Sequence, residues 1–316
     1  MSVLRIIPYN PGLRQEWDSF IDRSKNATFL FKRAYMDYHA DRFADHSLLF
    51  LRDGRTAALL PASAKGDVVT SHGGLTYGGL LTDRKTTGAE TVEMMSMLKC
   101  FLLEEGFRQL IYKPVPHIYH EIPSEEDLYA LFRIGASLNA RLISCVIRQS
   151  DRIKFRDIRK SGIRKARKLG IMVSETADFS GFWKILEQNL MSRYSATPVH
   201  TLDEISRLAE AFPANIRLHV AHAGEEILAG VVIYHCRNVA HTQYISASCP
   251  GKETGALDLI FDSLINETYK DTEYFDFGTS NENSGLILNE TLLYQKEGFG
   301  GRAICYDTYT ANLKTD

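Results

Sequence analysis

The stretch Gln243–Ala256, QYISASCPGKETGA, reads from strand through turn into helix. Val239 to Ala247 has the character of a strand, and Pro250-Gly251 interrupts it. From Ala256 to Tyr269 the residues Leu257, Ile260, Phe261, Leu264 and Ile265 recur at helical spacing. A helix entered in this way exposes unpaired backbone N–H groups and the positive end of its dipole, and glycine lets that backbone approach an anion closely. Gly251, Lys252, Thr254, Gly255 and Ala256 are therefore candidate contacts for a phosphate-bearing donor. In isolation a simple strand-to-helix connection would look the same, so the order of the surrounding elements has to decide.

Downstream, Tyr274 to Gly278 reads as a short strand, Leu286 to Lys296 as a helix and Gly301 to Leu313 as a last strand. Upstream, Asp178 to Tyr194 and Leu202 to Ala211 read as helices. Ile216 to His222 and Glu226 to Cys236 form a hairpin through Ala223-Gly224-Glu225. The first half follows a similar order. A strand at Val3 to Ile7 precedes helices around Trp17 and Tyr35. A hairpin then turns at Asp53-Gly54, and a helix from Thr86 to Glu105 stops at Gly106. Strands at Phe107 to Val115 and Leu142 to Arg148 close that half. The expected class is α/β with mixed sheets (α+β in its hairpins), in two similar domains, 1–150 and 151–316.

With 316 residues, 44% of them hydrophobic and 24% charged, the chain is long enough for two domains of ordinary size. A net charge of −2 gives no global attraction to nucleic acid or an anionic membrane. No run approaches the roughly 18 to 20 apolar residues of a membrane span. The N-terminus is soon broken by Pro8 and charge, unlike a signal peptide. The five cysteines are scattered without paired spacing, which predicts reduced thiols, no metal site and a cytoplasmic location.

Three segments carry a family resemblance. Leu293-Tyr294-Gln295-Lys296-Glu297-Gly298-Phe299-Gly300 resembles the motif closing Fem-type peptidyltransferases, where a lysine and a Gly-Phe-Gly turn follow an aromatic residue. It is also similar to the tyrosine-containing helix and Gly-Phe turn near the end of many GNAT acetyltransferases. Arg159 to Ile171, RKSGIRKARKLGI, resembles the basic helix that begins the second Fem domain, and Thr70 to Leu80, TSHGGLTYGGL, the Gly-rich stretch of the first. The chain is thus identified as resembling the double-domain, Fem-type branch of the GNAT superfamily. That resemblance implies two tandem GNAT-like acyl-CoA N-acyltransferase domains. It also implies an acyltransferase that forms an amide on an amine-bearing acceptor, a small molecule or a peptide, with acyl-CoA or aminoacyl-tRNA as donor. In the GNAT phosphate loop, Gln or Arg, two residues, Gly, one residue and then Gly or Ala are usual. Here Lys252, Gly255 and Leu257 occupy those places.

Transfer of an activated acyl group needs donor and amine held together, a proton removed and an oxyanion stabilised. By resemblance, Lys296 matches the Fem lysine that stabilises the reacting carbonyl or leaving group, and Tyr294 the GNAT tyrosine that protonates the leaving group. Asp276, set among Tyr274, Phe275 and Phe277, is a candidate base, since an apolar setting raises a carboxylate's pKa. Ser280 and Asn281 follow at a strand end, where α/β sheets bind ligands, and His72 and Tyr77 lie in the Gly-rich stretch. Between Arg152 and Lys168, nine of seventeen residues are Lys or Arg. Like charges at helical spacing repel, so Arg164, Lys165 and their neighbours suit a nucleotide-linked substrate or tRNA as well as a solvated surface. Two other functions fit the same residues: a catalytically silent GNAT-like module holding a nucleotide-linked or peptidoglycan-precursor ligand, and an RNA-binding protein.

Overall fold

The computed structural model describes residues 3–314 and divides into two units. The first is Met1–Leu142 with Asn281–Ile287 and Cys305–Asp316, and the second is Ile143–Ser280 with Leu288–Ile304. The division differs from the contiguous halves 1–150 and 151–316. The reason lies in the last strand, whose Tyr309–Asn312 pairs antiparallel with Gln109–Tyr112 and so belongs to the first unit.

In the first unit the chain runs β1 (Leu4–Pro8), α1 (Arg14–Arg23), α2 (Arg33–Met36), β2 (Ala44–Asp45), β3 (Leu48–Arg52), β4 (Arg55–Leu60), β5 (Ser63–Lys65) and β6 (Val68–Thr70). It continues through β7 (Leu81–Thr82), α3 (Gly88–Glu104), β8 (Gln109–Tyr112) and α4 (Glu126–Arg133) into β9 (Ser137–Arg148). The hairpin β3–β4 turns at Asp53 and Gly54, both at positive φ (49° and 77°), as that dipeptide predicts. Thr87 caps α3 in a reciprocal box with Glu90. Met94, Met95, Leu98 and Leu102 of α3 enter a core with Leu48, Phe50, Leu110 and Tyr112.

The second unit holds the stretch from which the sequence reading began, Gln243–Ala256. Its elements are α5 (Asp157–Lys168), β10 (Met172–Thr176), α6 (Ser180–Tyr194), α7 (Leu202–Ala211), β11 (Ile216–Ala223), β12 (Glu226–Cys236) and β13 (Val239–Ala247). After them come α8 (Cys249–Thr254), α9 (Ala256–Ser263) and β14 (Tyr274–Thr279). Past the short β15 (Asn281–Glu282) and β16 (Ile287–Leu288), the chain forms α10 (Glu290–Glu297) and β17 (Arg302–Asn312). Strands β10 to β13 are antiparallel neighbours, β13 and β14 are parallel, and β14 pairs antiparallel with residues 144–148 of β9. This is the α/β mixed-sheet fold that the sequence predicted.

Two segments differ from expectation, although the helix expected from Ala256 does begin there. The turn after β13 is itself helical: Ser248 accepts the Gly251 N–H at 3.1 Å, Pro250 sits in the first turn, and Gly255 at φ 78° separates α8 from α9. The last helix begins at Glu290 rather than Leu286, because Ile287-Leu288 is extended and Asn289 provides the cap, accepting from the Leu292 N–H. Ile260, Phe261, Leu264 and Ile265 on α9 and its continuation pack with Phe275, Phe277 and Phe299 in the core of this unit. The rings of Phe261, Phe277 and Phe299 lie 5.0–5.6 Å apart, each pair adding about 1 kcal/mol beyond area burial.

Candidate functional site

Strands β13 and β14 share only three register pairs, ending at His241↔Asp276, although β13 runs on to Ala247 and β14 to Thr279. Beyond that pair they part. The extra residue that β13 places opposite Val232 and Ile233 of β12 bends the strand where it leaves β14. Ile245, Ser246 and Ala247 on one side and Phe277 on the other then border a cavity of about 350 Å³. Leu186 and Asn189 of α6, Lys252 of α8 and Lys296 and Phe299 complete its wall.

Lys296 is buried there with 5% exposure. Its ammonium donates to the carbonyls of Gly278 (2.9 Å) and Thr279 (2.7 Å) at the end of β14. Burial pushes its pKa down to about 8, against the opposing pull of Asp276. An ammonium has three donors, so one remains after these two bonds. Tyr294 lies two residues earlier on α10. Positions two apart on a helix do not share a face, and Tyr294 is accordingly exposed, under the Arg156 guanidinium at 4.4 Å. It borders a neighbouring hollow with Lys252, Gly255 and Arg159.

Asp276 is fully buried and holds three donors: the Ser144 hydroxyl at 2.5 Å, the Gly278 N–H at 2.8 Å and, on its other oxygen, Nδ1 of His241 at 2.8 Å. A carboxylate oxygen accepts, so Nδ1 of His241 carries the hydrogen of this bond, and in the neutral imidazole Nε2 is the acceptor. A Cβ placed on Gly278 would lie 3.3 Å from the His241 ring. The imidazole and the Lys296 ammonium therefore flank the same glycine. Sequence reading missed His241, whose signal was a histidine on a strand bordering the donor loop, paired in register with an apolar-flanked aspartate.

The donor-loop residues are held by packing. A Cβ on Gly251 would meet the Leu228 carbonyl oxygen at 2.0 Å, and one on Gly255 would meet that of Gly162 at 2.5 Å. The Gly251 and Lys252 N–H groups are bound by the Ser248 side chain and carbonyl respectively. Lys252 itself reaches Asn189 at 2.9 Å, the Thr254 hydroxyl bonds back to Pro250, and Ala256 is buried. Ser280 is also buried, its N–H on Ile143 and its carbonyl accepting from Asn289, with its hydroxyl unpaired among the described residues. On α5, Arg159 pairs with Asp258 (2.7 Å) and Arg167 with Asp262 (2.6 Å), while Lys165 caps the Glu253 carbonyl. Arg164 forms no ion pair among the described residues.

His72, Tyr77 and Asn281 belong to the first unit. His72 is buried at φ 50°, and burial with the neighbouring His39 pushes its pKa down to about 3, so it is a neutral imidazole. The Tyr77 hydroxyl bonds to Thr28 at 3.3 Å within an aromatic group that includes Tyr119 and Tyr306. The Asn281 amide points to the Gly285 carbonyl at 3.5 Å. No cluster of three or more His, Cys, Asp or Glu suited to a metal occurs among the described residues, and no described helix is long and apolar enough to cross a membrane.

Residues 154–283, the stretch holding α5 through β14, match the family model described as acetyltransferase (GNAT) domain. The chain carries a GNAT domain. Its fold along nearly the whole length is similar to that of FemX. It superposes on FemX with a TM-score of 0.68 at 11% identity, over 98% of this chain and 97% of that one. A conserved protein of unknown function from Bacteroides thetaiotaomicron gives 0.64 at 12% identity, over 99% and 100%. The C-terminal domain of a putative lysylphosphatidylglycerol synthetase from Agrobacterium fabrum gives 0.57 at 10%, over 81% of each chain. At such identities the likeness is one of fold. Among curated proteins, a sequence search finds no match.

Proposed function

We propose that the cleft between β13 and β14 transfers an acyl or aminoacyl group from an activated donor to an amine, making an amide by direct attack. The observation that carries this reading is the pair of groups on Gly278: Lys296 on its carbonyl and the Asp276-oriented His241 against its Cα. In this reading Nε2 of His241 takes the proton that the amine sheds as it attacks, and Asp276 fixes the tautomer and steadies the resulting imidazolium. The remaining donor of Lys296 stabilises the carbonyl oxygen as it becomes negative, then the departing oxygen or sulfur. Tyr294, at the adjoining hollow with Gly251, Lys252, Gly255 and Arg159, stands on the donor side, with Thr254 and Ala256 shaping that wall.

Acyl-CoA and aminoacyl-tRNA both satisfy this chemistry. The amides of Gly251 and Lys252 are already bound, which favours a donor held by side chains over one cradled by that backbone. The acceptor is a small-molecule or peptide amine; the candidate contacts are Ser280 in the second unit and, taken separately, His72, Tyr77 and Asn281 in the first. A nucleotide-linked acceptor or a tRNA would use Arg164 and Lys165. In this reading the reaction is cytoplasmic, in keeping with cysteines that lack paired spacing. The same occupied amides support a second reading, a silent module that binds a nucleotide-linked or peptidoglycan-precursor ligand without turnover.

Amide formation is measured with acetyl-CoA, longer acyl-CoAs and aminoacyl-tRNA against a panel of amines. Turnover that vanishes in Lys296→Ala while donor binding persists supports transfer. Donor or UDP-muropeptide binding with no turnover across the panel favours the silent module.

A further inference from the structure

Helix α5 turns different residues toward two hollows. Arg159 faces the donor side, where it pairs with Asp258. Lys160, Ile163, Arg164 and Arg167 line a separate cavity of about 500 Å³, closed by Arg152 to Phe155 and by Asp262 and Asn266. None of its lining residues borders the cavity at Lys296.

The charge in this second cavity is unbalanced. Arg152, Lys154, Lys160, Arg164 and Arg167 face it against one lining carboxylate, Asp262, and Lys160 is paired with Asp157 at 3.1 Å, leaving three positive charges in surplus. Both oxygens of Asp262 are engaged: one accepts from Arg167 at 2.6 Å and the other from the Asn266 amide at 2.8 Å. Asn266 in turn fixes Arg152 at 2.6 Å. The two arginines are thus oriented by bonds that leave most of their N–H groups unspent. Lys154 and Arg164 make no ion pair among the described residues. Ile163, buried, and Phe155, half-buried, give the hollow an apolar floor. On a helix, Lys160, Arg164, Arg167 and Lys168 repel at three- and four-residue spacing, a cost that an anion would remove.

We propose that this cavity is a second ligand site that binds a phosphate-bearing molecule of nucleotide size. Oriented guanidiniums match phosphate oxygens in pairs, and the flexible lysines add charge. The concave shape and apolar floor suit a compact ligand with a ring, and the volume is within the ordinary range for one. The site shares no lining residue with the cavity at Lys296; its Arg164 is also the contact proposed above for a nucleotide-linked acceptor, but binding here does not require acyl transfer.

The test is calorimetric titration of the full chain with ADP, with inorganic pyrophosphate and with a short RNA duplex, each with and without excess acetyl-CoA. The expected result is that ADP binds, that acetyl-CoA does not displace it, and that the double variant Lys154→Gln, Arg164→Gln weakens it at least tenfold with an unchanged melting temperature. Lys252→Gln, on the donor side, should leave ADP affinity as it was. Pyrophosphate binding more weakly than ADP would support the apolar floor. The proposal is overturned if ADP fails to bind, if acetyl-CoA displaces it, or if the double variant binds it as well as the parent. Binding of RNA alone, lost steeply with salt, would overturn it too, by making the basic flank a nucleic-acid surface.

Discussion

Oδ2 of Asp276 lies 2.8 Å from Nδ1 of His241, and the two residues sit opposite each other in the last register pair that β13 and β14 share. The hydrogen bond thus sits at the point where the sheet opens. Ser144 and the Gly278 N–H hold the other oxygen, so the carboxylate is fixed from three directions.

His241→Gln should lower the turnover number by about 10²–10⁴ while leaving donor affinity within a few-fold, because a general base acts in the transition state. Asp276→Asn should reduce turnover as well by disturbing the tautomer. It should also cost roughly 1–3 kcal/mol of stability, since it disrupts a fully buried acceptor. Steady-state kinetics with a denaturant titration checks both. A drop in stability with no change in turnover for either variant would remove His241 from the mechanism.

Lys296 should set the upper limb of the pH–rate profile. The ammonium is the useful form, so activity falls as pH rises through about 8. Lys296→Arg, which keeps its charge, should shift that limb upward, whereas Lys296→Met should abolish turnover. The same group predicts a stability trend. Between about 8 and the ordinary 10.5 the unfolded chain binds the extra proton, so stability rises with pH there, and Lys296→Met should flatten the rise.

Gly255→Ala should destabilise by roughly 2–5 kcal/mol, combining left-handed backbone strain with a collision against the Gly162 carbonyl. Gly170→Ala is the control. Its φ is 71°, close to the 78° of Gly255, but nothing lies within 4 Å of the added carbon, so about 1–2 kcal/mol is expected. Equal losses for the two would show that backbone conformation, and not the approach of α5 to α9, requires glycine at 255.

Asp127 in the first unit is buried against Tyr112, and burial pushes its pKa up to about 6. Its folded value lies above its free value, so the native state holds the extra proton between about 4 and 6. Stability should therefore fall as pH rises through that window, by at most about 1.4 kcal/mol per unit for this group. Denaturation of the parent and of Asp127→Asn at pH 4 and pH 7 isolates it: the difference between the proteins should change with pH, and a constant difference would rule the titration out.

Much of the second unit was legible because its signals are local. The turn at Ala223-Gly224-Glu225, the periodic face of α9 and the Lys-Glu-Gly-Phe-Gly ending of α10 each state their own geometry within a few residues. Lys296 could be singled out for the same reason. The glycines of the donor loop were legible as glycines but not in their reason: Gly251 and Gly255 are small because Leu228 and Gly162, distant in sequence, press against them. Asp276 was visible as a carboxylate among aromatics, yet its three donors come from residues 144, 241 and 278.

The sequence by itself determined the element types, their order, the basic helix and the lysine before the Gly-Phe-Gly turn, all of which depend on hydrophobic period and turn chemistry within short windows. Tertiary structure alone decided that β13 and β14 part after His241, that this histidine meets Asp276, and that α5 divides its charge between paired carboxylates and an unbalanced hollow. Those outcomes depend on which strands and helices become neighbours, and chain neighbourhood in space is set by the packing of the whole unit, where no single window of sequence carries the distance.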